Sequence, residues 1–102
     1  MITVQMKWEG VTKAQYDQIR KLVDWDSNRA PGSVLHIAAF DDKGMRVADV
    51  WQSEADLNNF IGTRLMSAVM QLGIQTQPVA EVFPVHNLYT PDFTPKRVLE
   101  AA

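Results

Sequence analysis

Two apolar runs joined by only four turn-forming residues are the feature that most constrains how this chain can fold. Residues 34–40 and 45–51 are rich in aliphatic and aromatic side chains, and Asp41-Asp42-Lys43-Gly44 lies between them. So short a connection between two such runs is typical of a β-hairpin. The sequence therefore predicts an antiparallel sheet, around which the other elements have to be arranged.

The remaining patterns place a strand and a helix on each side of this hairpin. Residues 2–8 alternate between apolar and polar side chains, which predicts a strand, and a capping box at residues 12–15 predicts the helix after it. Beyond the hairpin, Ser53 caps a long amphipathic helix that Gly73 ends, and a last strand is predicted over residues 79–85. This order predicts an α+β, ferredoxin-like βαββαβ fold, with both helices on one face of a four-stranded antiparallel sheet.

Length and composition limit what such a chain does. Its 102 residues suffice for one domain, which we assign to residues 1–88, followed by a tail over residues 89–102 with at most a helical turn at 97–101. The absence of cysteine excludes thiolate metal sites and disulfides, and a net charge of −2 without basic blocks argues against nucleic acid. No apolar run approaches the roughly 20 residues of a membrane span, and no signal-peptide core is present, so we expect a cytoplasmic protein without a membrane partner.

The register of the hairpin determines which side chains share a face of the sheet. A two- or four-residue connection gives the pairs Val34–Trp51, His36–Asp49, Ala38–Val47 and Phe40–Met45, all on one face. A three-residue loop with a bulge would break this parity. The opposite face carries Leu35, Ile37, Ala39, Ala48 and Val50. Because this second set is aliphatic, we expect it to lie under the helices.

The face of His36 is then expected to be free of helices, although it is too apolar for water. Val4 and Met6 are needed under the helices, which turns Gln5 towards His36. A contiguous patch of this kind usually marks a partner or a ligand site. Its simplest cover is the same face of a second copy, which gives a homodimer through the sheet face with a small-molecule cavity between the sheets.

His36 and Asp49 are the candidate catalytic residues. A carboxylate beside a histidine fixes its tautomer and raises its basicity, which suits proton abstraction from a phenol or an activated carbon. The alternative is a structural hydrogen-bonded pair. Trp51 is expected either to stack on an aromatic ligand or to anchor the dimer interface. The further candidate ligand contacts are Gln5, Phe40 and His86.

Two tryptophans and the two histidines complete the inventory of candidate residues. Trp8 and Trp25 are expected to be packing residues, and His86 has a structural or exposed histidine as its alternative interpretation. The spacing of the two histidines and Asp49 matches no metal-ligand motif. We therefore expect neither a metal nor another cofactor.

The hairpin and the start of the long helix resemble a known group of proteins. His36-Ile37-Ala38, the Asp-rich turn and the segment from Arg46 through Ser53 to Phe60 are similar to those of small bacterial dimeric α/β-barrel proteins, in the superfamily of the antibiotic-biosynthesis monooxygenases. As topology, the resemblance covers residues 2–88. It implies a homodimer whose two sheets form a barrel, with a pocket in each subunit. The activities it implies range from cofactor-independent oxygenation of aromatic polyketides to haem degradation, lactone isomerisation and polyketide cyclisation.

The residues of this chain separate those activities. Haem-degrading members are typified by an asparagine on the first strand and a ligating histidine on the second helix, where this chain has Gln5 and no histidine. The oxygenases place asparagine and tryptophan beside the substrate, which Gln5 and Trp51 match in part. We therefore expect a cofactor-independent, monooxygenase-like enzyme acting on an aromatic or polyketide-like molecule.

Other functions of the same topology stay open or are disfavoured. A cyclase or isomerase of this fold and a non-catalytic dimeric protein that binds a ligand or a partner are the alternatives. An RNA-recognition module would need a basic-glycine-aromatic signature on its third strand, which residues 45–51 lack. An amino-acid-sensing domain would normally accompany a catalytic domain, and this sequence contains none.

Overall fold

A computed structural model describes residues 1–91, which form a four-stranded antiparallel sheet with helices on one face. The elements are β1 (Ile2–Glu9), α1 (Lys13–Leu22), β2 (Ser33–Phe40), β3 (Gly44–Trp51), α2 (Glu54–Phe60), a π-helical segment (Ile61–Leu65), α3 (Met66–Gln71) and β4 (Val79–Pro84). The strands are ordered β2-β3-β1-β4, as in the predicted ferredoxin-like fold. The helical turn expected at residues 97–101 lies outside the described residues. No helix in the described part of the chain is long and apolar enough to cross a membrane.

Both helical regions begin at the predicted caps. Thr12 Oγ1 accepts a hydrogen bond from the Gln15 backbone at 3.1 Å, and the Gln15 side chain accepts one from the Thr12 backbone at 3.0 Å. Ser53 Oγ accepts from the Asp56 backbone at 3.1 Å. The long helix differs from the prediction in its middle turn, Ile61–Leu65, which is π-helical. One wide turn leaves the apolar positions on both sides recognisable, so the sequence pattern does not reveal it.

The hairpin has the predicted register over most of its length. The observed pairs are His36–Asp49, Ala38–Val47 and Phe40–Met45. The prediction that Val34 lies opposite Trp51 is wrong. The register shifts between Ser33 and Leu35, so one residue of β2 is left without a partner and Ser33 takes the place opposite Trp51.

The turn of the hairpin is held by Asp41. Its carboxylate accepts hydrogen bonds from the backbone of Lys43 at 2.8 Å and of Gly44 at 3.0 Å, and from Arg46 Nε at 2.8 Å. These donors, Arg46 above all, lower the pKa of the Asp41 carboxyl to about 2. Gly44 is required where β3 meets β1, because a Cβ there would lie 2.5 Å from the backbone oxygen of Trp8. The connection therefore keeps the even parity on which the pairing of His36 with Asp49 depends.

The helices cover the opposite face of the sheet from the one predicted. Val4 lies opposite Asp49 in the β1–β3 ladder, so the apolar side chains of β1 share a face with the His36–Asp49 pair. This face is buried: Val4 is 3%, Asp49 6% and Trp51 1% exposed. The expectation that the set beginning with Leu35 and Ile37 lies under the helices is therefore wrong, and Ile37 is 51% exposed.

Side-chain volume explains this orientation. One cluster between sheet and helices consists of Val4, Ile19, Val23, Ala30, Trp51, Leu57, Phe60 and Ala68. A second consists of Trp8, Val11, Met45, Val47 and Val69. Protein interiors are close-packed, and large side chains such as Trp51 and Met45 fill the space under the helices. The small side chains of Ala39 and Ala48 would have left that space empty.

Candidate functional site

Four side chains form a continuous hydrogen-bonded chain on the buried face. Tyr16 Oη lies 2.7 Å from His36 Nε2, and His36 Nδ1 lies 2.6 Å from Asp49 Oδ1. The other carboxylate oxygen, Asp49 Oδ2, accepts from Trp51 Nε1 at 3.2 Å. The register brings His36 opposite Asp49, and strand alternation puts Trp51 beside it. α1 supplies Tyr16 from the layer above the sheet.

The carboxylate of Asp49 sets the direction of these hydrogen bonds. An ionised carboxylate only accepts, so the proton of a neutral His36 ring lies on Nδ1. Nε2 is then an acceptor, and the hydroxyl of Tyr16 donates to it. His36 can therefore take up a second proton at Nε2 and become an imidazolium that Asp49 stabilises. The arrangement is suited to proton transfer.

Burial keeps the Tyr16 hydroxyl in its protonated form. Removal from water is the main cause that raises the pKa of Tyr16 above its ordinary value. The charge of Arg20 lowers that pKa, and the carboxylates of Asp49, Asp17 and Asp26 raise it. Tyr16 is thus a neutral hydrogen-bond donor at physiological pH.

Aromatic rings surround the imidazole of His36. The Trp25 ring, from the segment after α1, has its centroid 5.0 Å from that of His36 and 5.1 Å from that of Phe60. Trp51 lies 5.3 Å from Phe60 and 6.1 Å from Trp25, between centroids. The contacts of Trp25 with Trp51 and Phe60 are edge-to-face, and such contacts add to the stability that burial alone provides. The polar chain therefore sits in an aromatic, water-poor surrounding.

A cavity of about 60 Å³, named here the ring cavity, lies between α1 and the sheet. Its lining includes the polar or charged residues Tyr16, Arg20, His36 and Asp49, and the aromatic residue Trp25. It lies within one chain, so the predicted cavity between two sheets is wrong for this site. The volume holds a few water molecules and is smaller than the roughly 150 Å³ apolar cavity known to bind benzene.

A second cavity, named here the helix cavity, lies between the long helix and strands β1 and β4. Its volume is about 280 Å³. The two cavities share the wall residues Met6, Trp8, Asp49, Phe60 and Leu65. Leu65 is the last residue of the π-helical segment, a helix irregularity that is frequent at functional sites.

The structure brings some of the predicted site residues together and separates the others. Asp49 is hydrogen-bonded to both His36 and Trp51. Phe40 meets the Tyr16 ring edge-on at 6.3 Å between centroids. The prediction that Gln5 faces His36 is wrong: Gln5 lies on the open face. The cause is the alternation of β1, whose Val4 shares the buried face with Asp49.

His86 does not join the site. It is exposed and follows β4, which lies at the opposite edge of the sheet from the β2 strand of His36. Within residues 1–91, no three His, Asp or Glu side chains converge in the way that metal ligands do. Among the described residues, the ionisable groups that line the ring cavity are Tyr16 and Arg20 on α1, His36 on β2 and Asp49 on β3.

Sequence reasoning missed two residues of the site, Tyr16 and Trp25. The helical spacing predicts Tyr16 on the buried side of α1, and a buried tyrosine hydroxyl needs a hydrogen-bond partner. With His36 placed on the same side, that requirement would have joined the two residues. Trp25 follows α1 in a segment without periodicity, so no signal in the sequence places it against His36.

The comparisons with known proteins give the fold. No family model matches the chain, and no curated protein matches it. Among solved structures, a protein of unknown function from Nitrosomonas europaea is similar at a TM-score of 0.64 and 18% identity, over 90% of this chain and 95% of that one. A candidate antibiotic biosynthesis monooxygenase from Caulobacter crescentus is similar at a TM-score of 0.62 and 20% identity, over 84% and 90%.

The cofactor-independent oxygenase SnoaB from Streptomyces nogalater is similar at a TM-score of 0.59 and 14% identity, over 89% of this chain and 96% of that one. These similarities extend over most of this chain and over most of each similar structure. At such low identity, they establish the architecture and leave the chemistry to the residues of the site. The chain therefore has the ferredoxin-like α+β fold of the antibiotic biosynthesis monooxygenase-like proteins.

Proposed function

We propose that this chain binds a small aromatic molecule in the ring cavity and acts on it as a cofactor-independent, monooxygenase-like enzyme, with His36 and Asp49 as its acid–base pair. The observation that carries this proposal is the hydrogen bond of 2.6 Å between His36 Nδ1 and Asp49 Oδ1 at the wall of a mainly apolar cavity. Pockets with apolar walls and a few convergent polar groups are the usual form of small-molecule sites.

The chemistry begins with removal of a proton from a phenol or an activated carbon of the ligand. His36 takes up the proton, and the carboxylate of Asp49 stabilises the imidazolium that forms. The electron-rich anion left behind is the species that dioxygen would then oxidise. The structural neighbour SnoaB is a cofactor-independent oxygenase, which supports this choice of reaction class.

The size of the ring cavity favours a ligand with one aromatic ring. At about 60 Å³ it has to widen even for a single ring, because a cavity that binds benzene is roughly 150 Å³. A larger, polyketide-like ligand would have to extend into the helix cavity, which adds about 280 Å³ across shared walls. The cytoplasmic location stays a prediction from the sequence.

Oxygen uptake tests the proposal. With hydroquinone as the probe, the wild-type protein is expected to consume oxygen faster than the probe does alone. His36→Ala is expected to lower this rate by about 10²–10⁴-fold, which is the usual contribution of an acid–base group. Lys21→Ala, an exposed change on α1, is the matched control and should leave the rate unchanged.

The other outcomes of this test identify the alternatives. Conversion of the probe without oxygen uptake would indicate a cyclase or isomerase. Saturable binding without conversion would indicate a non-catalytic ligand-binding protein. Full activity in His36→Ala would contradict the catalytic role of His36.

We also propose a homodimer through the open face of the sheet. Large apolar side chains are exposed there: Ile37 is 51%, Val79 67% and Phe83 45% exposed. The ladders place Val79 and Phe83 opposite Lys7 and Thr3, on the side away from the helices. Exposed apolar patches of this kind mark interfaces, and a second copy of the same sheet offers a matching surface.

Light scattering at micromolar concentration is expected to give the mass of a dimer. Ile37→Lys places a charge within the proposed interface and should yield a monomer, because a buried unpaired charge opposes association. Met70→Lys changes a side chain of α3 that is 75% exposed and should leave the dimer intact. A monomeric wild-type protein would contradict the proposed assembly.

A further inference from the structure

Tyr16 is at one end of the hydrogen-bonded chain and belongs to the lining of the ring cavity. Asp49 holds Nδ1 of His36, and Tyr16 Oη occupies Nε2 at 2.7 Å. Among the described residues, His36 is the partner of the Tyr16 hydroxyl, so the acceptor lone pairs of the phenol oxygen are unused. The Tyr16 oxygen can therefore still accept a hydrogen bond from a ligand in the cavity, whereas Nε2 is already engaged.

The position of Tyr16 is fixed by its surroundings. It lies in the first turn of α1, where its backbone N–H donates to Thr12 O at 2.9 Å and the capping box holds that turn. The Tyr16 ring is inclined by only 9° to the ring of His36, and Phe40 meets it edge-on. Fixed donors and acceptors of this kind are what proton transfer in an enzyme requires.

We propose that Tyr16 is the catalytic residue that exchanges a proton with the ligand, and that His36 and Asp49 act through it; this inference rests on the proposed function. An acidic phenol gives its proton to the Tyr16 oxygen while the original hydroxyl proton of Tyr16 moves to His36 Nε2. The ligand O–H bond breaks as a new Tyr16 O–H bond forms, and the old Tyr16 O–H bond breaks as an Nε2–H bond forms. The products are a phenolate and an imidazolium beside the Asp49 carboxylate, without any change of oxidation state.

The charges around the site suit this step. Burial disfavours a tyrosinate by raising the pKa of Tyr16, so the hydroxyl passes protons on without holding a negative charge. The negative charge moves to the ligand; Arg20 belongs to the lining of the same cavity, and its guanidinium is paired with Asp26 at 2.8 Å. The class of ligand that this arrangement fits is a weak acid with one ring and a stable anion, such as a phenol with an electron-withdrawing substituent.

The ionisation of bound 4-nitrophenol tests the inference, because its phenolate and its phenol absorb at different wavelengths. On the wild-type protein, we expect saturable binding and an ionisation constant raised by about tenfold or more, since the imidazolium stabilises the phenolate. His36→Gln cannot take up the proton and should abolish this increase. The His36 variant thus tests the proposed function itself.

Tyr16→Phe tests the role of the hydroxyl and keeps the ring in the core. We expect 4-nitrophenol to bind with a Kd about two- to tenfold higher, as one hydrogen bond is lost. Its ionisation constant should return to that of the free probe, because no hydroxyl connects it to Nε2. Tyr89→Phe, in a residue that is 77% exposed, is the matched control and should behave as the wild type.

Two results separate the two proposals. If Tyr16→Phe retains the raised ionisation constant, His36 accepts the proton directly; the inference is then wrong, and the proposed function stands. If the wild-type protein shows no saturable binding, or if His36→Gln leaves the ionisation unchanged, the proposed function fails and the inference fails with it. Far-ultraviolet circular dichroism of each variant verifies that it is folded.

Discussion

Replacing Trp51 by alanine is expected to lower the free energy of unfolding by about 3–5 kcal/mol, which is the usual cost of removing a large buried aromatic side chain. Trp51 is 1% exposed and packs against Phe60, with 5.3 Å between ring centroids. The loss would remove a large part of the roughly 5–15 kcal/mol that stabilises a typical domain. Urea denaturation followed by circular dichroism measures it.

Trp51→Phe separates the packing of the ring from its hydrogen bond. Phenylalanine keeps most of the apolar contact and removes the donor to Asp49 Oδ2. We expect this variant to lose about 1–3 kcal/mol, mainly because a buried carboxylate oxygen is left without that partner. If Trp51→Ala were as stable as Trp51→Phe, the ring would contribute little to the core, and the first cluster would have to be redefined.

Replacing Asp49 by asparagine is expected to reverse the hydrogen bonds of the site with little change in shape. The side-chain oxygen of the asparagine would accept from Trp51 Nε1, and its amide would donate to His36 Nδ1. The proton of the His36 ring would then lie on Nε2 and point at the Tyr16 oxygen. His36 would no longer be an acceptor for the Tyr16 hydroxyl.

In Asp49→Asn, the catalytic activity should fall far more than the free energy of unfolding does. We expect a loss of about 10²–10⁴-fold in the turnover of an active probe, the range seen when an acid–base group or its tautomer is lost. Nitrogen-15 NMR of the imidazole rings reports the tautomer directly and needs no substrate. The exposed His86 serves as the internal reference, since its signals should not change.

An unchanged tautomer of His36 would contradict this prediction. If His36 keeps its proton on Nδ1 in Asp49→Asn, the asparagine oxygen has turned towards His36 and its amide towards Trp51. The protein should then lose stability, because the N–H of Trp51 would face another donor. Equal stability with an unchanged tautomer would show that Asp49 does not set the direction of the hydrogen bonds.

The sequence contains enough information to predict the fold, because its signals are local. The capping box at Thr12, the cap at Ser53 and the four-residue turn each define an element boundary from neighbouring residues. The register of the hairpin follows from the length of its turn, and it correctly pairs His36 with Asp49. These interactions depend on little beyond the segment in which they occur.

The choice of the buried face could not be made in the same way. Aliphatic character favours burial of the sheet face that carries Ile37, whereas filling the volume under the helices requires the large side chains of Trp51 and Met45. That volume depends on how α1 and the long helix pack, which no local pattern contains. The error in turn concealed the contact between Tyr16 and His36 and placed Gln5 in the site. The pair of candidate catalytic residues was predicted, and its surroundings were not.

The π-helical turn that ends at Leu65 bears on how selective this protein is. Leu65 is one of the five wall residues shared by the ring cavity, which is too small for a ring, and the helix cavity, which is several times larger. Its backbone ends the π-helical segment, in which the wider turn shifts the side chains that follow relative to a regular α-helix. Substitutions of Leu65 and of its neighbours in the shared wall are therefore expected to change the largest ligand that the site admits while His36 and Asp49 stay unchanged.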